Sequence, residues 1–157
     1  MLGHFGFSYM GLLYLVLLFV PNLLWTRQKP EGYSPAGEKK LLLAFERAGE
    51  VLTTGCALVF TDWNLKPLSP WSLWLAVSFV RMLFYEFCWI RYFRSGHTLR
   101  DYTRPLWGIP VPLATLPVAA FFLLGVYGKT VWLPLSAAIL GVGHIGIHLQ
   151  HRRETVS

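Results

Sequence analysis

Charge is what this chain has least of. Asp, Glu, Lys and Arg make up 14% of its 157 residues, against about 25% in an ordinary soluble domain. So little charge cannot cover a surface that faces water on every side, which argues against a soluble globular protein. Acidic residues are scarcer than basic ones, 8 against 14, giving a formal net charge of +6. Cysteine is almost missing. Cys56 and Cys88 alone exclude a disulfide-built scaffold. No Lys or Arg precedes Arg27, and no small-residue cleavage site follows the first apolar run, so that run does not read as a cleaved signal. There is no internal repeat, which a transporter built from inverted repeats would show.

What the chain has instead is apolar sequence, 54% hydrophobic residues, gathered in long runs. A helix crosses a bilayer with about 20 mostly apolar residues. Five runs approach that length: 5–25, 41–60, 70–90, 109–127 and 131–148. They leave no room for a soluble domain. The expected fold is all-α: a polytopic integral membrane protein whose residues 1–157 form one five-transmembrane-helix bundle.

The basic residues follow the loops. Arg27, Lys29, Lys39 and Lys40 lie between the first two runs, Arg91, Arg94, Arg100 and Arg104 between the third and fourth, and Arg152 and Arg153 after the fifth. The alternate loops hold only Lys66 and Lys129. This is the positive-inside pattern. It places the N-terminus outside and the C-terminus in the cytoplasm, with a bacterial inner (plasma) membrane as the expected location. It also accounts for the net charge without nucleic acid. The lipid bilayer is the expected partner, with anionic lipids at Arg91, Arg94, Arg100 and Arg104, and a homo-oligomer would complete a path too wide for five helices. In this topology Cys56 and Cys88 differ in depth by more than about 15 Å, beyond the roughly 7 Å Cα separation of a disulfide. Two free thiols are expected.

Between the runs, "TRQKPEGYSPAGEKK" reads as a loop. "RYFRSGHTLRDYTRPLWG" reads as an interfacial segment with Tyr92, Phe93, Tyr102 and Trp107 among the headgroups. Pro117 interrupts the hydrogen bonding of the fourth span, and the short "YGKT" makes spans four and five an antiparallel hairpin. "GVGHIG" (Gly141–Gly146) matches a dinucleotide fingerprint in letters only, for no strand precedes it. It reads as small-residue helix packing, and Ala137, Gly141 and Gly143 offer a face for docking another helix.

The informative residues are ionisable ones inside the runs, where a charge costs about 2.5–3.5 kcal/mol at the bilayer centre. Counting along each helix, Glu50 and Arg81 fall roughly 13–15 Å from the cytoplasmic end, and Glu46, Arg47 and Glu86 roughly 7–9 Å. Matching depths predict the pairs Glu50–Arg81 and Arg47–Glu86. Asn22, Tyr85, His144 and His148 join them, so the ligand-binding candidates are Asn22, Glu46, Arg47, Glu50, Arg81, Tyr85, Glu86, His144 and His148, in the cytoplasmic half. His144, His148 and His151 share a helix face, with His148 at the rim and His151 in the headgroups.

Such a cluster suits binding or transport of a small polar or amphipathic ligand, with Arg47 and Arg81 on an anionic group and Glu50 or Glu86 moving a proton. Two alternatives stand beside it. One is a small membrane enzyme acting on a lipid, with Glu and His as acid and base. Its histidines and carboxylates match no metal motif, and the cofactor is left unspecified. The other is a non-catalytic subunit of a membrane complex, whose buried charges specify assembly.

Overall fold

The computed structural model describes residues 2–156. Among them are six α-helices and no strands: α1 Tyr9–Trp25, α2 Lys40–Val59, α3 Leu73–Phe93, α4 Leu99–Tyr102, α5 Pro112–Gly128 and α6 Trp132–Val156. Two stretches, Pro70–Phe93 and Trp132–Thr155, are long and apolar enough to cross a bilayer. α1 and α5 are apolar but shorter, at 17 residues each, and α2 carries Glu46, Arg47 and Glu50 in its middle.

Local chemistry sets the helix ends. α1 begins at Tyr9 rather than at residue 5 because the Ser8 hydroxyl accepts the Gly11 N–H at 2.9 Å, an N-cap. Residues before the cap run back across the end of α2. The Gly6 N–H donates to the Val59 carbonyl, the Ser8 N–H to Leu58, and the Thr61 N–H to His4. α6 continues well past residue 148, since "LQHRRET" contains nothing that breaks a helix.

The five long helices close into a ring. α2 packs on α6, α6 on α5, α5 on α3, and α1 bridges α3 and α2. α2 and α3 are therefore on opposite sides of α1. Glycines make the tightest of these crossings. A Cβ on Gly49 would collide with the Leu140 backbone, and one on Gly143 with the Leu42 and Glu46 backbone. On the small face of α6, Gly143 is buried against Leu42 and Glu46 of α2, Gly141 faces Val118 of α5, and Ala137 is buried. Cys56 and Cys88 are free thiols.

Outward, each long helix presents large apolar side chains, among them Val16 and Val20 of α1, Val51 and Leu52 of α2, Leu83 and Phe87 of α3, Phe122 of α5, and Leu135 and Val142 of α6. One end of the ring collects the loops 26–39 and 94–111 and the α6 C-terminus, with most of the Lys and Arg; it is called the basic end below. The opposite end is closed by the N-terminal residues over Trp63, which is fully buried.

Asp62 anchors that closure. Its carboxylate accepts the His4 backbone N–H at 2.6 Å and lies 2.9 Å from the His4 ring. Burial pushes the Asp62 carboxyl up, but the His4 hydrogen bonds and charge and nearby Lys66 outweigh it, and the net shift is downward. A carboxyl with a lowered folded-state value stabilises the structure above its unfolded pKa and loses that contribution as pH falls through the folded one. Amide exchange at Gly6 and Ser8 is therefore expected to stay slow at neutral pH and to accelerate in strong acid. Asp62→Asn should show fast exchange already at neutral pH; equal protection in the variant would remove Asp62 from this role.

Candidate functional site

The α2–α6 crossing builds the site. Because Gly143 lets the two backbones meet at Glu46, the next α6 residue, His144, comes within 2.7 Å of the Glu46 carboxylate through Nδ1. One turn on, the His148 ring packs 4.6 Å from the His144 ring, centroid to centroid. Its Nε2 lies 3.1 Å from the Tyr102 hydroxyl. A further turn segment brings His151 to 2.8 Å from Glu38, their side chains 2% and 5% exposed. The Tyr33 hydroxyl donates to the same Glu38 oxygen at 3.1 Å. Trp25 stacks on Tyr102 at 5.4 Å and meets Tyr33 edge-on at 5.1 Å.

These side chains wall a polar chamber of about 320 Å³ at the basic end, which Asn22, Glu46, Arg47, Glu50, His144 and His148 also line. Burial, then the charge and hydrogen bond of Glu38, keep the Tyr33 phenol well above its ordinary titration range. Burial foremost, then neighbouring Tyr33, Tyr85 and Glu46, do the same for Tyr102. Both phenols remain protonated donors throughout the neutral range.

A second cavity of about 200 Å³ adjoins the chamber deeper in the ring. Its walls are mostly apolar: Leu18, Phe19, Val118, Phe121 and Leu140, with Pro117. Pro117 has no N–H to offer Leu113, so α5 is locally loosened where it lines the space. Asn22, Glu50 and His144 line both cavities and form the junction between them. Behind Asn22, its amide donates to the Leu18 carbonyl and to the Tyr85 hydroxyl, both at 2.7 Å.

Comparisons with protein-family models, with curated proteins and with solved structures find no match to this chain.

Of the residues singled out from the sequence, Asn22, Glu46, Arg47, Glu50, His144 and His148 come together around the chamber, and Tyr85 stands one hydrogen bond behind it. Arg81 and Glu86 do not line either cavity. The depth-matched pairs do not form. Arg47 pairs along its own helix with Glu50 at 3.1 Å, its side chain 75% exposed. Arg81 lies exposed on the outer face of α3, and one Glu86 oxygen is buried without a hydrogen-bond partner among the described residues. Equal depth fixes height but not direction, and α1 stands between α2 and α3.

The sequence reading missed Trp25, Tyr33, Glu38, Tyr102 and His151. Tyr102 is buried rather than in the headgroup zone, as are Tyr92 and, partly, Phe93; only Trp107, 78% exposed, is outside. His151 is likewise interior. The signal for Tyr102 was local. Thr98 and Asp101 form a reciprocal cap around α4, and a capped turn is a fixed mount. Several Asp101 contacts set its carboxyl below the usual range, the Thr98 hydroxyl first. The Arg91 guanidinium donates to the Arg104 and Pro105 carbonyls at 2.7 and 3.1 Å, holding the segment under the ring. Among the described residues, no group of three or more His, Cys, Asp or Glu is placed to hold a metal ion.

Proposed function

We propose that this chain is a five-span membrane bundle, its basic end in the cytoplasm, that binds and transports a small amphipathic ligand. The apolar part of the ligand occupies the cavity between Leu18, Phe121 and Leu140, and its polar head occupies the junction and chamber. One observation carries the reading: an apolar and a polar cavity share a wall of Asn22, Glu50 and His144, so a single molecule can span both. The surroundings support the membrane setting. Outward apolar side chains on each long helix are costly in water, and the basic loops gather at one end. Arg94 and Arg100 remain exposed there for anionic headgroups.

The subunit alternative draws on Arg81, an exposed cation amid Val77, Val80 and Leu83. The lipid-enzyme alternative draws on the Glu46–His144 pair, a base beside a cavity.

Native mass spectrometry of gently extracted protein tests the proposal. Wild type is expected to release a bound small molecule on mild activation. Val118→Trp fills the apolar cavity and should lower that occupancy about tenfold or more, the scale of losing over 1.4 kcal/mol of contact. Equal occupancy in both proteins, or release of an intact second subunit instead of a small molecule, contradicts it.

A further inference from the structure

The chemistry of the ligand's head follows from which hydrogen-bonding positions at the junction remain unused. Asn22 spends both amide hydrogens, one on the Leu18 carbonyl and one on the Tyr85 hydroxyl. A carbonyl only accepts, so the amide orientation is fixed and Oδ1 is left as an acceptor. Glu50 receives Arg47 on Oε2, which leaves Oε1. His144 directs Nδ1 at the Glu46 carboxylate. A carboxylate accepts, so Nδ1 carries a hydrogen, and in the tautomer with that single N–H the lone pair is on Nε2. The Tyr85 hydroxyl points back at the Leu18 carbonyl. Only the hydroxyls of Thr53 and Thr54, which act in either role, add to this set.

Lys29 and Arg47 line the chamber, while the lining of the apolar cavity holds no cation. Arg81 faces outward. Arg47 reaches Glu50 from the rim with a largely exposed side chain. Lys29 sits over the Trp25 ring, 5.3 Å from its centroid. An anionic head at the junction would meet lone pairs and the Glu50 carboxylate, and the Arg47 guanidinium beside it is already engaged by Glu50.

Resting on the proposed two-cavity binding site, we propose that the ligand is a lipophilic amine bound as its ammonium ion. Its three N–H donors match Asn22 Oδ1, Glu50 Oε1 and His144 Nε2, and its hydrocarbon part lies between Leu18, Phe121 and Leu140. Glu50 supplies the opposite charge, and a charge-assisted contact is stronger than a neutral one. This replaces the anionic head that Arg47 and Arg81 suggested, because Arg81 does not reach the cavity.

Three probes with one tail separate the terms: hexylamine, hexanol and hexanoate. Each is titrated calorimetrically at neutral pH into full-length protein in neutral maltoside micelles, with empty micelles subtracted. Hexylamine, an ammonium there, is expected to bind about tenfold tighter than hexanol, and hexanoate weakest. Glu50→Gln, which keeps the shape and removes the charge, should erase the amine preference, so that hexylamine and hexanol bind that variant with similar affinity. Hexanol or hexanoate binding more tightly than hexylamine to wild type overturns the amine assignment and leaves the two-cavity site standing. Absence of binding by all three overturns both. The wild-type series decides by itself if Glu50→Gln fails to fold.

Discussion

Gly143→Ala is expected to destabilise this protein by about 3 kcal/mol, at the upper end of overpacking costs in a close-packed interior. The new methyl group would press into the Leu42 and Glu46 backbone of α2. Backbone cannot swing aside as a long side chain can, so α2 and α6 must separate along their whole contact. A glycine elsewhere on α2 supplies the control. Gly55 is exposed with nothing near its added Cβ, and Gly55→Ala should stabilise by up to about 1 kcal/mol through helix propensity. Thermal unfolding of the two variants in one detergent should therefore shift in opposite directions. Shifts of the same sign and size would mean that the α2–α6 crossing is not set by this contact.

The second large effect is at His144. His144→Leu leaves the half-buried Glu46 carboxylate, 14% exposed in its side chain, without its 2.7 Å partner. Stranding a charge in this way costs about 3 kcal/mol when burial is complete, and about 2 kcal/mol is expected at this partial exposure. Adding Glu46→Leu removes the stranded charge, and the double variant should recover most of the lost stability. Binding should not recover, because the junction has lost Nε2. Stability restored with binding still absent identifies the pair as part of the site. Recovery of both makes it a packing element, and recovery of neither separates it from the cavity.

How much of this was legible beforehand depends on the kind of information each feature needs. The helices follow from apolar runs, and their boundaries shift only where a local device intervenes: the Ser8 cap shortens α1, and the absence of a breaker extends α6. Crossing a bilayer at five places is a stronger statement than two sufficiently long apolar helices provide, and it belongs to the proposal. The grouping of Glu46, Glu50, Asn22, His144 and His148 follows from depth, since all face one ring interior. The partner of each charge does not follow, for depth is silent about which helices are neighbours. Arg47 found Glu50 three residues away on its own helix, and Arg81 lies exposed among Val77, Val80 and Leu83. Loop residues were the least legible. Glu38 and Tyr33 lie in a Pro- and Gly-rich stretch whose composition says only that it is a loop, yet it folds inward to meet His151. Tyr102 resembles any interfacial tyrosine until the loop's return under the ring, held by Arg91, is known.

The central claim is that one molecule can occupy the apolar cavity and the polar junction together. The most direct measurement is a crystal structure of the wild-type protein soaked with 6-bromohexanol, whose neutral head makes the result independent of the amine assignment. Anomalous scattering locates the bromine. The two-cavity account predicts a bromine peak between Leu18, Phe121 and Leu140 with the hydroxyl at Asn22, Glu50 and His144. Bromine found solely on the outer apolar faces, around Leu83, Phe87 or Val142, would contradict it.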